Sequence, residues 1–441
     1  MQNQIKMRTI KQEHYFPLII GIHFILWAID LYFYQGTTKE VHSDTLFFGK
    51  MKGDLWSNTH RIMGEVFSSW AVTVFAANFL MATRAKWVEK LFGGLDKMYM
   101  IHRRSGVIAV VLLLLHFLFV PRDLTEFTIG KPLGFYALVL ILVGVVLSVA
   151  PIFTQKIKYH KWIKFHKLMG IFYIMGIVHS LKVPTLTSEL PLVRTYVYGM
   201  ALIGILAWIY KAFLYNIFNK KLEYTVNSIQ HFENDTTEIQ LVPINESLAF
   251  EAGQFTFVSF DGLNKNEAHP FTISNHPSEN YLRFTIRSLG DYTADLQSSI
   301  KEDIKAKIQG AFGQFNFKKV KYQDQIWMAG GIGITPFLSF LKEVNSNYNI
   351  TMIWSVNTVD QANYKDEIEY SESQNPNFKF VLWDSDSKGH FTVGKLYKSS
   401  ALKNKSILIC GPEIMRESYI KQLMEKGVSI NDIHYEEFSF R

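Results

Sequence analysis

The sequence predicts a membrane-spanning bundle of six α-helices, followed by an antiparallel β-barrel domain and an α/β domain. Hydrophobic residues, 48% of the 441, crowd into the first half of the chain, while charged and turn residues crowd into the second. From Tyr224 the pattern changes to the period of two that is typical of strands, and from about Gln325 strands alternate with helices. We therefore expect domains over residues 1–220, 221–324 and 325–441.

Six apolar stretches are long enough to be interpreted as membrane spans, at residues 15–34, 59–82, 103–120, 133–153, 167–183 and 194–217. Basic residues concentrate in the N-terminal arm and in the connections after the second and fourth spans. Because positively charged loops stay inside, we expect both termini to be cytoplasmic. The first apolar run lacks a small-residue cleavage site, so we interpret it as a span and not as a signal peptide.

Four histidines lie in two of these apolar stretches, where a buried ionisable side chain indicates a function. His102 and His116 are 14 residues apart, and His166 and His179 are 13 residues apart. Pairing His102 with His166, and His116 with His179, offers two imidazoles from opposite sides, which suits the axial positions of a haem iron. Two haems would then stack along the membrane normal, roughly 20 Å apart at 1.5 Å per residue.

The second of these spacings, 13 residues, conflicts with the geometry of a regular helix. Thirteen residues leave the second histidine about 140° away from the face of the first, whereas fourteen residues return to within about 40°. The helix that carries His166 and His179 must therefore be tilted, kinked or overwound, and Gly170 and Gly176 lie where they could allow this.

Other polar and aromatic residues of the membrane half have candidate roles. Phe172 lies between the two haem levels, where an aromatic ring could shorten the gap an electron crosses; the alternative is an ordinary core aromatic. Arg61 is a candidate partner for the outer haem propionates, or it extends its charged end to the membrane interface. His23 and His60 are weaker candidates as ligands.

Three stretches in the predicted barrel are suited to a flavin dinucleotide. They are Ala252-Gly253-Gln254-Phe255, the extended run His269-Pro270-Phe271-Thr272-Ile273-Ser274, and a run containing Arg287, Gly290, Asp291, Tyr292 and Thr293. The extended backbone can offer N–H and C=O groups to an isoalloxazine edge. Arg287 supplies a bidentate cation for a pyrophosphate, and Gly290 lets the backbone approach it closely. Each stretch alone is ordinary strand and hairpin sequence, whereas their order and spacing together are specific.

The last domain carries two glycine-containing turns after buried strands. The first is Gly330-Gly331-Ile332-Gly333-Ile334-Thr335-Pro336, and the second is Cys410-Gly411-Pro412. We expect Thr335 to be a helix N-cap with Pro336 as the first helical residue, so that the helix N-terminus binds a dinucleotide pyrophosphate. Cys410 should lie at the carboxyl edge of the sheet, where ligands bind and where the thiol could pack beside a nicotinamide.

The end of the chain and the composition indicate further which ligands and partners the protein could bind. A terminal aromatic, Phe440 or Phe438, could stack on the flavin, the alternative being a last strand with one buried apolar side chain. Cys410 is the single cysteine, which excludes a disulfide framework and a cysteine-held iron–sulfur cluster. The net charge of +7 is explained by the loops next to the membrane, so no nucleic-acid partner is expected.

With these residues assembled, the chain resembles the NADPH oxidase and ferric reductase family over nearly its whole length, and looks most similar to compact bacterial members. The resemblance rests on the four-histidine spacing, the HPFT and IRxxGDYT stretches, GGIGITP and CGP. It implies a ferric reductase-like membrane domain, a ferredoxin-reductase-like soluble module, FAD, two b-type haems and NADPH. In it, Phe172 corresponds to the aromatic between the haems, and Phe440 corresponds best to the aromatic that covers the flavin.

The resemblance implies a plasma-membrane NAD(P)H oxidase that passes electrons to dioxygen outside and forms superoxide. Two alternatives stay open: a ferric or cupric chelate reductase with the same electron path, and a membrane-anchored flavin reductase without haem. Many relatives have an arginine after the TMIWS strand that could hold a 2′-phosphate, but here Val356 and Asn357 follow, so NADH could serve as well. No regulatory segment is evident, so we expect constitutive activity without a regulatory subunit.

Overall fold

The structure, a computed structural model, describes residues 15–33, 44–45, 49–50, 54–120, 128–154, 156–157, 159–263 and 266–436. The chain divides into two compact units. The first comprises residues 1–93 and 97–218, and the second comprises residues 94–96 and 219–441.

The described residues of the first unit are almost all helical. Its helices are α1 (Tyr15–Phe33), α2 (Asp54–Ala82), α3 (Lys86–Phe92), α4 (Leu95–Phe119), α5 (Gly130–Val149), α6 (Pro151–Thr154), α7 (Tyr159–His166), α8 (Met169–Lys182), α9 (Leu186–Glu189), α10 (Pro191–Ile209) and α11 (Tyr215–Phe218). A π-helical turn over Tyr210–Leu214 joins α10 to α11, and two short strands, β1 (Asp44–Thr45) and β2 (Gly49–Lys50), pair before α2.

Among the residues that the structure describes, four helices are long and apolar enough to cross a membrane. They cover Thr59–Ala82, Leu95–Phe119, Gly130–Val149 and Pro191–Phe218. The two other predicted spans correspond to shorter helical segments: an apolar part of α1 over Gly21–Phe33, and α8 with 14 residues. A helix needs about 20 apolar residues to span the hydrocarbon core upright, so the structure supports four spans by length and leaves six as a prediction.

The second histidine-bearing helix is interrupted. His166 is the last residue of α7, and α8 begins at Met169 after a turn at residues 167–168. The expectation that one helix carries both His166 and His179 is therefore wrong, and the predicted kink takes the form of a break. The break also lies before Gly170, so neither glycine inside α8 creates it. Separate helix axes remove the 140° phase conflict, because α7 and α8 set their faces independently.

Two buried carboxylates of the first unit bind helix N-termini. Asp30 accepts a hydrogen bond from the N–H of Val193 at 2.8 Å, in the first turn of α10. Glu65 accepts hydrogen bonds from the N–H groups of Leu186 and Thr187, both at 2.8 Å, at the start of α9. The first N–H groups of a helix have no partner within the helix, so these carboxylates satisfy them and favour the adjacent positive helix end.

The second unit begins with a curled antiparallel sheet. Its strands are β3 (Leu222–Phe232), β4 (Thr236–Pro243), β5 (Phe255–Phe260), β6 (His269–Thr272), β7 (Leu282–Arg287) and β8 (Lys305–Phe312), in the order β6-β5-β8-β3-β4-β7. An isolated bridge between Ile273 and Phe284 links the ends of the two edge strands. The sheet therefore curls into a partly closed barrel, which we call the half-barrel. Helix α12 (Asp291–Ser299) lies between β7 and β8 in sequence. A turn that includes Asn234 and Asp235 joins β3 to β4, with Asp235 at φ 56°.

A five-stranded parallel sheet completes the second unit. Its strands are β9 (Asp324–Gly330), β10 (Asn349–Val356), β11 (Phe378–Asp384), β12 (Ser406–Cys410) and β13 (Ile433–Tyr435), in the order β11-β10-β9-β12-β13. Its helices are α13 (Thr335–Phe340), α14 (Lys365–Gln374), α15 (Ser385–Lys388), α16 (Val393–Leu396) and α17 (Glu413–Glu425). The order reverses between β9 and β12, which creates the crevice where open α/β sheets bind ligands.

Candidate functional site

The four histidines form the two pairs that the sequence predicts. The ring centres of His102 and His166 are 6.1 Å apart, and their planes are inclined at 66°. The ring centres of His116 and His179 are 6.4 Å apart, with planes inclined at 72°. Helix α4 contributes one member of each pair, while α7 and α8 contribute the other members.

The Nδ1 atom of each of these histidines has a hydrogen-bond partner. His102 Nδ1 lies 3.2 Å from the carbonyl oxygen of Asn78, and His116 Nδ1 lies 2.8 Å from that of Gly64. His179 Nδ1 lies 2.8 Å from the carbonyl oxygen of Gly130. His166 Nδ1 lies 3.2 Å from the hydroxyl oxygen of Ser148. Metal-binding histidines characteristically hold one ring nitrogen in this way, which directs the other nitrogen to the metal.

The pair separations fit a haem iron with two imidazole ligands. With a metal–nitrogen distance of about 2.0–2.1 Å on each side, the centres of two opposed imidazole rings stand roughly 6.3 Å apart. Both observed separations agree with this value. Among the residues that the structure describes, no group of three or more His, Cys, Asp or Glu side chains could hold a metal ion. Each pair by itself has the ring separation that two-sided ligation of one iron requires.

Sequence analysis missed the residues that orient these rings. Asn78, Gly64 and Gly130 act through backbone carbonyls, and Ser148 acts through its hydroxyl. A carbonyl is present at every position, so its use as an acceptor leaves no mark in the sequence. Ser148 was detectable in principle, as a hydroxyl in an otherwise apolar helix.

Phe172 lies on α8, in the interior of the helical unit. It is buried in an apolar cluster that also contains Ala109 and Val110 of α4, which are midway between His102 and His116 in sequence. That its ring lies between the levels of the two pairs stays a prediction. Its centre is 6.1 Å from that of Phe165.

The other polar candidates of the helical unit contact protein groups. Arg61 Nε lies 3.3 Å from a carboxylate oxygen of Glu65, and its Nη2 lies 3.8 Å from Glu189. His23 Nε2 is hydrogen-bonded to Ser69 at 2.8 Å. The ring of His60 stacks on that of Phe119 at 5.8 Å. The expected contact of Arg61 with haem propionates stays a prediction, and neither extra histidine belongs to the two pairs.

The HPFT stretch forms β6 at the edge of the half-barrel. The Oγ1 atom of Thr272 is buried and has no hydrogen-bond partner among the described residues, so a ligand that supplies a polar atom there would fit. The next two residues differ from expectation. Ile273 and Ser274 are fully buried, and their N–H groups donate within the unit, to the carbonyl oxygens of Gln254 at 3.0 Å and Arg283 at 2.8 Å. Their N–H groups are therefore engaged in the sheet and not offered to an isoalloxazine edge.

Two rings of the predicted flavin motifs stack on each other. The centres of His269 and Tyr292 are 3.5 Å apart, with planes inclined at 24°. Burial lowers the pKa of His269 and raises the pKa of Tyr292. Both shifts favour neutral side chains near pH 7. The stack joins β6 to the first turn of α12, where Gly290, Asp291 and Thr293 lie.

The first glycine turn continues β9 directly. Gly331–Ile334 forms a 3₁₀ turn, and α13 begins at Thr335 with Pro336 in its first turn. The predicted N-cap at Thr335 is thus wrong by one residue: Ile334 holds that position, and the Thr335 hydroxyl donates to the carbonyl of Ile332 at 3.2 Å. The 3₁₀ turn tightens the chain before the helix and moves the cap.

The two glycine turns of the nucleotide-binding part touch each other. A Cβ atom at Gly333 would fall 2.3 Å from the carbonyl oxygen of Cys410, so only glycine permits this approach. Cys410 ends β12 at the carboxyl edge of the sheet, as predicted, with Gly411 and Pro412 after it.

Cys410 has a neighbour that sequence analysis missed. Its Sγ lies 3.9 Å from Oε2 of Glu436, and both side chains are buried. Burial raises the pKa of the Cys410 thiol and the pKa of the Glu436 carboxyl well above their usual values. The thiol is therefore held protonated, which agrees with packing and disfavours a nucleophile. Phe438 and Phe440, the predicted flavin-stacking aromatics, lie outside the described residues.

A cleft of about 320 Å³ joins the flavin and nucleotide motifs. Its lining includes Asn234, Thr285, Arg287, Gly331, Trp354 and Tyr364. Arg287 ends β7, and its Nη1 lies 3.7 Å from where a Cβ of Gly331 would be. One guanidinium thus lies between the two predicted dinucleotide motifs, where pyrophosphate oxygens would be its natural partners.

Comparison with protein families divides the chain into three matched parts. Residues 67–177 match the ferric reductase like transmembrane component, residues 221–335 match an FAD-binding domain, and residues 327–421 match an oxidoreductase NAD-binding domain. The first match contains three of the four paired histidines, and the second contains the HPFT stretch and Arg287.

Curated relatives include NADPH oxidases. The chain is 25% identical over 214 residues to dual oxidase 2 of Sus scrofa, covering 45% of this chain and 13% of that protein. It is 26% identical over 148 residues to NADPH oxidase 1 of Mus musculus, covering 31% of this chain and 25% of that protein. The matched segments therefore make up a quarter or less of these relatives.

A solved structure shares the fold over most of the chain. The flavohaemoglobin of Malassezia yamatoensis, solved with bound FAD and haem, superposes with a TM-score of 0.51 at 17% identity, covering 87% of this chain and 97% of that one. This similarity concerns the fold alone. The order of the three matched domains and these relatives support the NADPH oxidase and ferric reductase family and indicate an oxidoreductase.

Proposed function

We propose that the protein is a transmembrane NAD(P)H oxidase of the plasma membrane that moves electrons from cytoplasmic NAD(P)H, through FAD and two b-type haems, to dioxygen outside, where superoxide forms. The observation that carries this proposal is the pair of histidine pairs, at ring separations of 6.1 and 6.4 Å. We assign residues 1–220 to the haem-holding domain, 221–324 to the FAD domain and 325–441 to the NAD(P)H domain.

Each part of the chain has a binding task in this proposal. His102 with His166, and His116 with His179, hold the two irons. Residues His269–Thr272 and the start of α12 hold the flavin, with Arg287 on a pyrophosphate. The turns Gly330–Pro336 and Cys410–Pro412 hold the nicotinamide nucleotide, and Phe438 or Phe440 covers the flavin. Bound flavin converts a two-electron donor into one-electron steps, and the haems carry single electrons.

In this proposal, the side chains between the cofactors position the cofactors and insulate them from one another. Phe172 fills the space between the two histidine levels with an aromatic ring, and the surrounding cluster is apolar. The Cys410 thiol, kept protonated by burial, packs beside the nicotinamide without reacting with it. We assign Arg61, which lies next to Glu65 and Glu189, to the outer propionates.

A second candidate function is a ferric or cupric chelate reductase with the same electron path. The match of residues 67–177 to a ferric reductase like transmembrane component favours it. The two candidates share every binding residue and differ in the external acceptor. A membrane-anchored flavin reductase without haem would leave the histidine pairs with a structural role.

The test is a visible spectrum of the purified full chain, first under anaerobic NADPH and then in air with cytochrome c and superoxide dismutase. We expect a six-coordinate b-type spectrum that is reduced by NADPH, reoxidised by air, and coupled to dismutase-sensitive reduction of cytochrome c. Reoxidation by ferric chelates without superoxide would identify a metal reductase. A purified protein without a Soret band would leave only the flavin reductase.

A further inference from the structure

The two histidine pairs differ in one hydrogen-bond partner. We propose that Ser148 and Trp162 fix the tautomer of His166 and give the haem held by His102 and His166 a ligand less basic than those of the other haem. This inference rests on the proposed function, because it concerns a haem ligand. Ser148 and Trp162 are thus positioning residues for one of the two irons.

The two histidine pairs differ in the group that faces Nδ1 of one histidine. His102, His116 and His179 place Nδ1 on peptide carbonyl oxygens, at 3.2, 2.8 and 2.8 Å. His166 places Nδ1 on the hydroxyl of Ser148, at 3.2 Å. A carbonyl can only accept a hydrogen bond, so it defines the tautomer of its histidine. A hydroxyl can donate or accept, so the tautomer of His166 depends on how the remaining capacity of Ser148 is used.

The other hydrogen-bond partners of Ser148 decide whether its hydroxyl donates to His166 or accepts from it. The hydroxyl oxygen lies 2.7 Å from the carbonyl of Gly144, one turn back on α5. This contact is shorter than the one to His166, so it takes the single hydroxyl proton. Trp162 Nε1, which can only donate, lies 3.0 Å from the same oxygen. One lone pair then remains for His166, which must donate from Nδ1 and keep its own lone pair on Nε2.

Trp162 also orients the ring. Its indole stacks on the His166 imidazole, with ring centres 4.9 Å apart and planes inclined at 26°, one turn apart on α7. The stack and the Nδ1 hydrogen bond together fix the ring against rotation. This leaves Nε2 as the metal-binding atom with a defined direction.

The arrangement makes His166 the least basic of the four ligands. A hydrogen bond from Nδ1–H raises the basicity of a metal-bound imidazole, and a stronger acceptor raises it more. The Ser148 oxygen is a neutral hydroxyl that already accepts from Trp162, and a hydroxyl oxygen is a weaker acceptor than a peptide carbonyl oxygen. A less basic ligand stabilises ferric iron less, and this haem should therefore have the higher ligand-determined potential.

The test uses the full chain in detergent and follows haem content, the redox titration of each haem, and the low-temperature EPR spectrum. Ser148→Ala removes the acceptor. We expect the midpoint potential of one haem alone to rise, with haem retention weakened roughly 10–100-fold, as for other partners of metal ligands. Ser148→Thr keeps the hydroxyl and should restore both properties.

Trp162→Phe gives a change of opposite sign. It keeps an aromatic ring for stacking and removes the indole donor, so the Ser148 oxygen accepts better from His166 and the same midpoint potential falls. Ser68→Ala is the matched control, because the Ser68 hydroxyl donates to the carbonyl of Glu65 in its own helix at 3.0 Å. We expect that variant to titrate as the unmodified protein does.

The outcomes separate this inference from the proposed function. A haem-loaded Ser148→Ala variant with unchanged potentials and an unchanged EPR spectrum would overturn the inference and leave the oxidase proposal intact. Shifts of the same sign in Ser148→Ala and Trp162→Phe would also overturn it. An unmodified protein that binds no haem would overturn both.

Discussion

Arg283 shows how one cation ties together two parts of the soluble unit. Its Nη1 and Nη2 atoms lie 2.9 and 3.1 Å from the two carboxylate oxygens of Glu367 on α14. Nη2 also donates to the carbonyl of Ser274, at 2.7 Å, just after β6. The Arg283 side chain is 11% exposed, so these hydrogen bonds replace water that the guanidinium would otherwise need.

Arg283→Ala should therefore destabilise the soluble unit. We expect a loss of about 1.5–3 kcal/mol in the free energy of unfolding, the range for hydrogen bonds to charged groups. The measurement is the urea midpoint of the full chain, followed by flavin fluorescence. Lys365→Ala is the control: its ion pair with Glu369 is 3.5 Å long and exposed, and such pairs contribute about 0–0.5 kcal/mol. Equal shifts in the two variants would show that burial of Arg283 adds nothing.

At the scale of elements, the break between α7 and α8 determines where His166 and His179 can lie. The Trp208 indole on α10 donates to the carbonyl of Lys167 at 2.8 Å, within the break. The same ring lies against Gly170 at the start of α8, where an added Cβ would fall 2.2 Å from a ring carbon. α10 thus reaches the turn that separates His166 from His179.

Gly170→Ala should disturb this packing. The methyl group overlaps the Trp208 ring, and overpacking of this kind costs about 1–3 kcal/mol. We expect less haem per protein and a lower temperature for loss of the Soret band. Gly199→Ala on α10 is the matched control, because no atom lies within 4 Å of its added Cβ, and it should retain haem fully. Full haem retention by Gly170→Ala would show that this contact does not support the histidine pairs.

At the scale of the whole molecule, charge and hydrophobicity divide the chain into an apolar helical part and a more polar nucleotide-binding part. Helix α4 is continuous over 25 residues, so its two histidines are about 21 Å apart at 1.5 Å per residue, a large part of a ~30 Å hydrocarbon core. The basic connections and the nucleotide-binding unit are predicted to share the cytoplasmic side.

The sidedness of turnover tests this organisation. Inside-out membrane vesicles should oxidise added NADPH and deliver superoxide to their lumen, because the nucleotide site faces outward. Right-side-out vesicles should not oxidise added NADPH until they are permeabilised. Equal rates before and after permeabilisation of right-side-out vesicles would place the soluble unit outside and refute the predicted topology.

The sequence determined what depends on local pattern. Apolar length and basic loops predicted the membrane half, and the change of period predicted the strand-rich half. The HPFT, GGIGITP and CGP stretches predicted turns and edges that the structure contains. The spacing of four histidines predicted their pairing, because residues on facing helices meet when their separations along the chain agree.

Only the tertiary structure decided what depends on contacts distant in sequence. His116 is 52 residues from Gly64 and His179 is 49 residues from Gly130, so no local pattern reveals these backbone acceptors. The break after His166, the burial of Ile273 and Ser274, and the Cys410–Glu436 contact likewise follow from packing. Sequence assigns which side chains can bind iron, but the surrounding fold decides which nitrogen faces it, because the hydrogen-bond partner of the other nitrogen comes from a different helix.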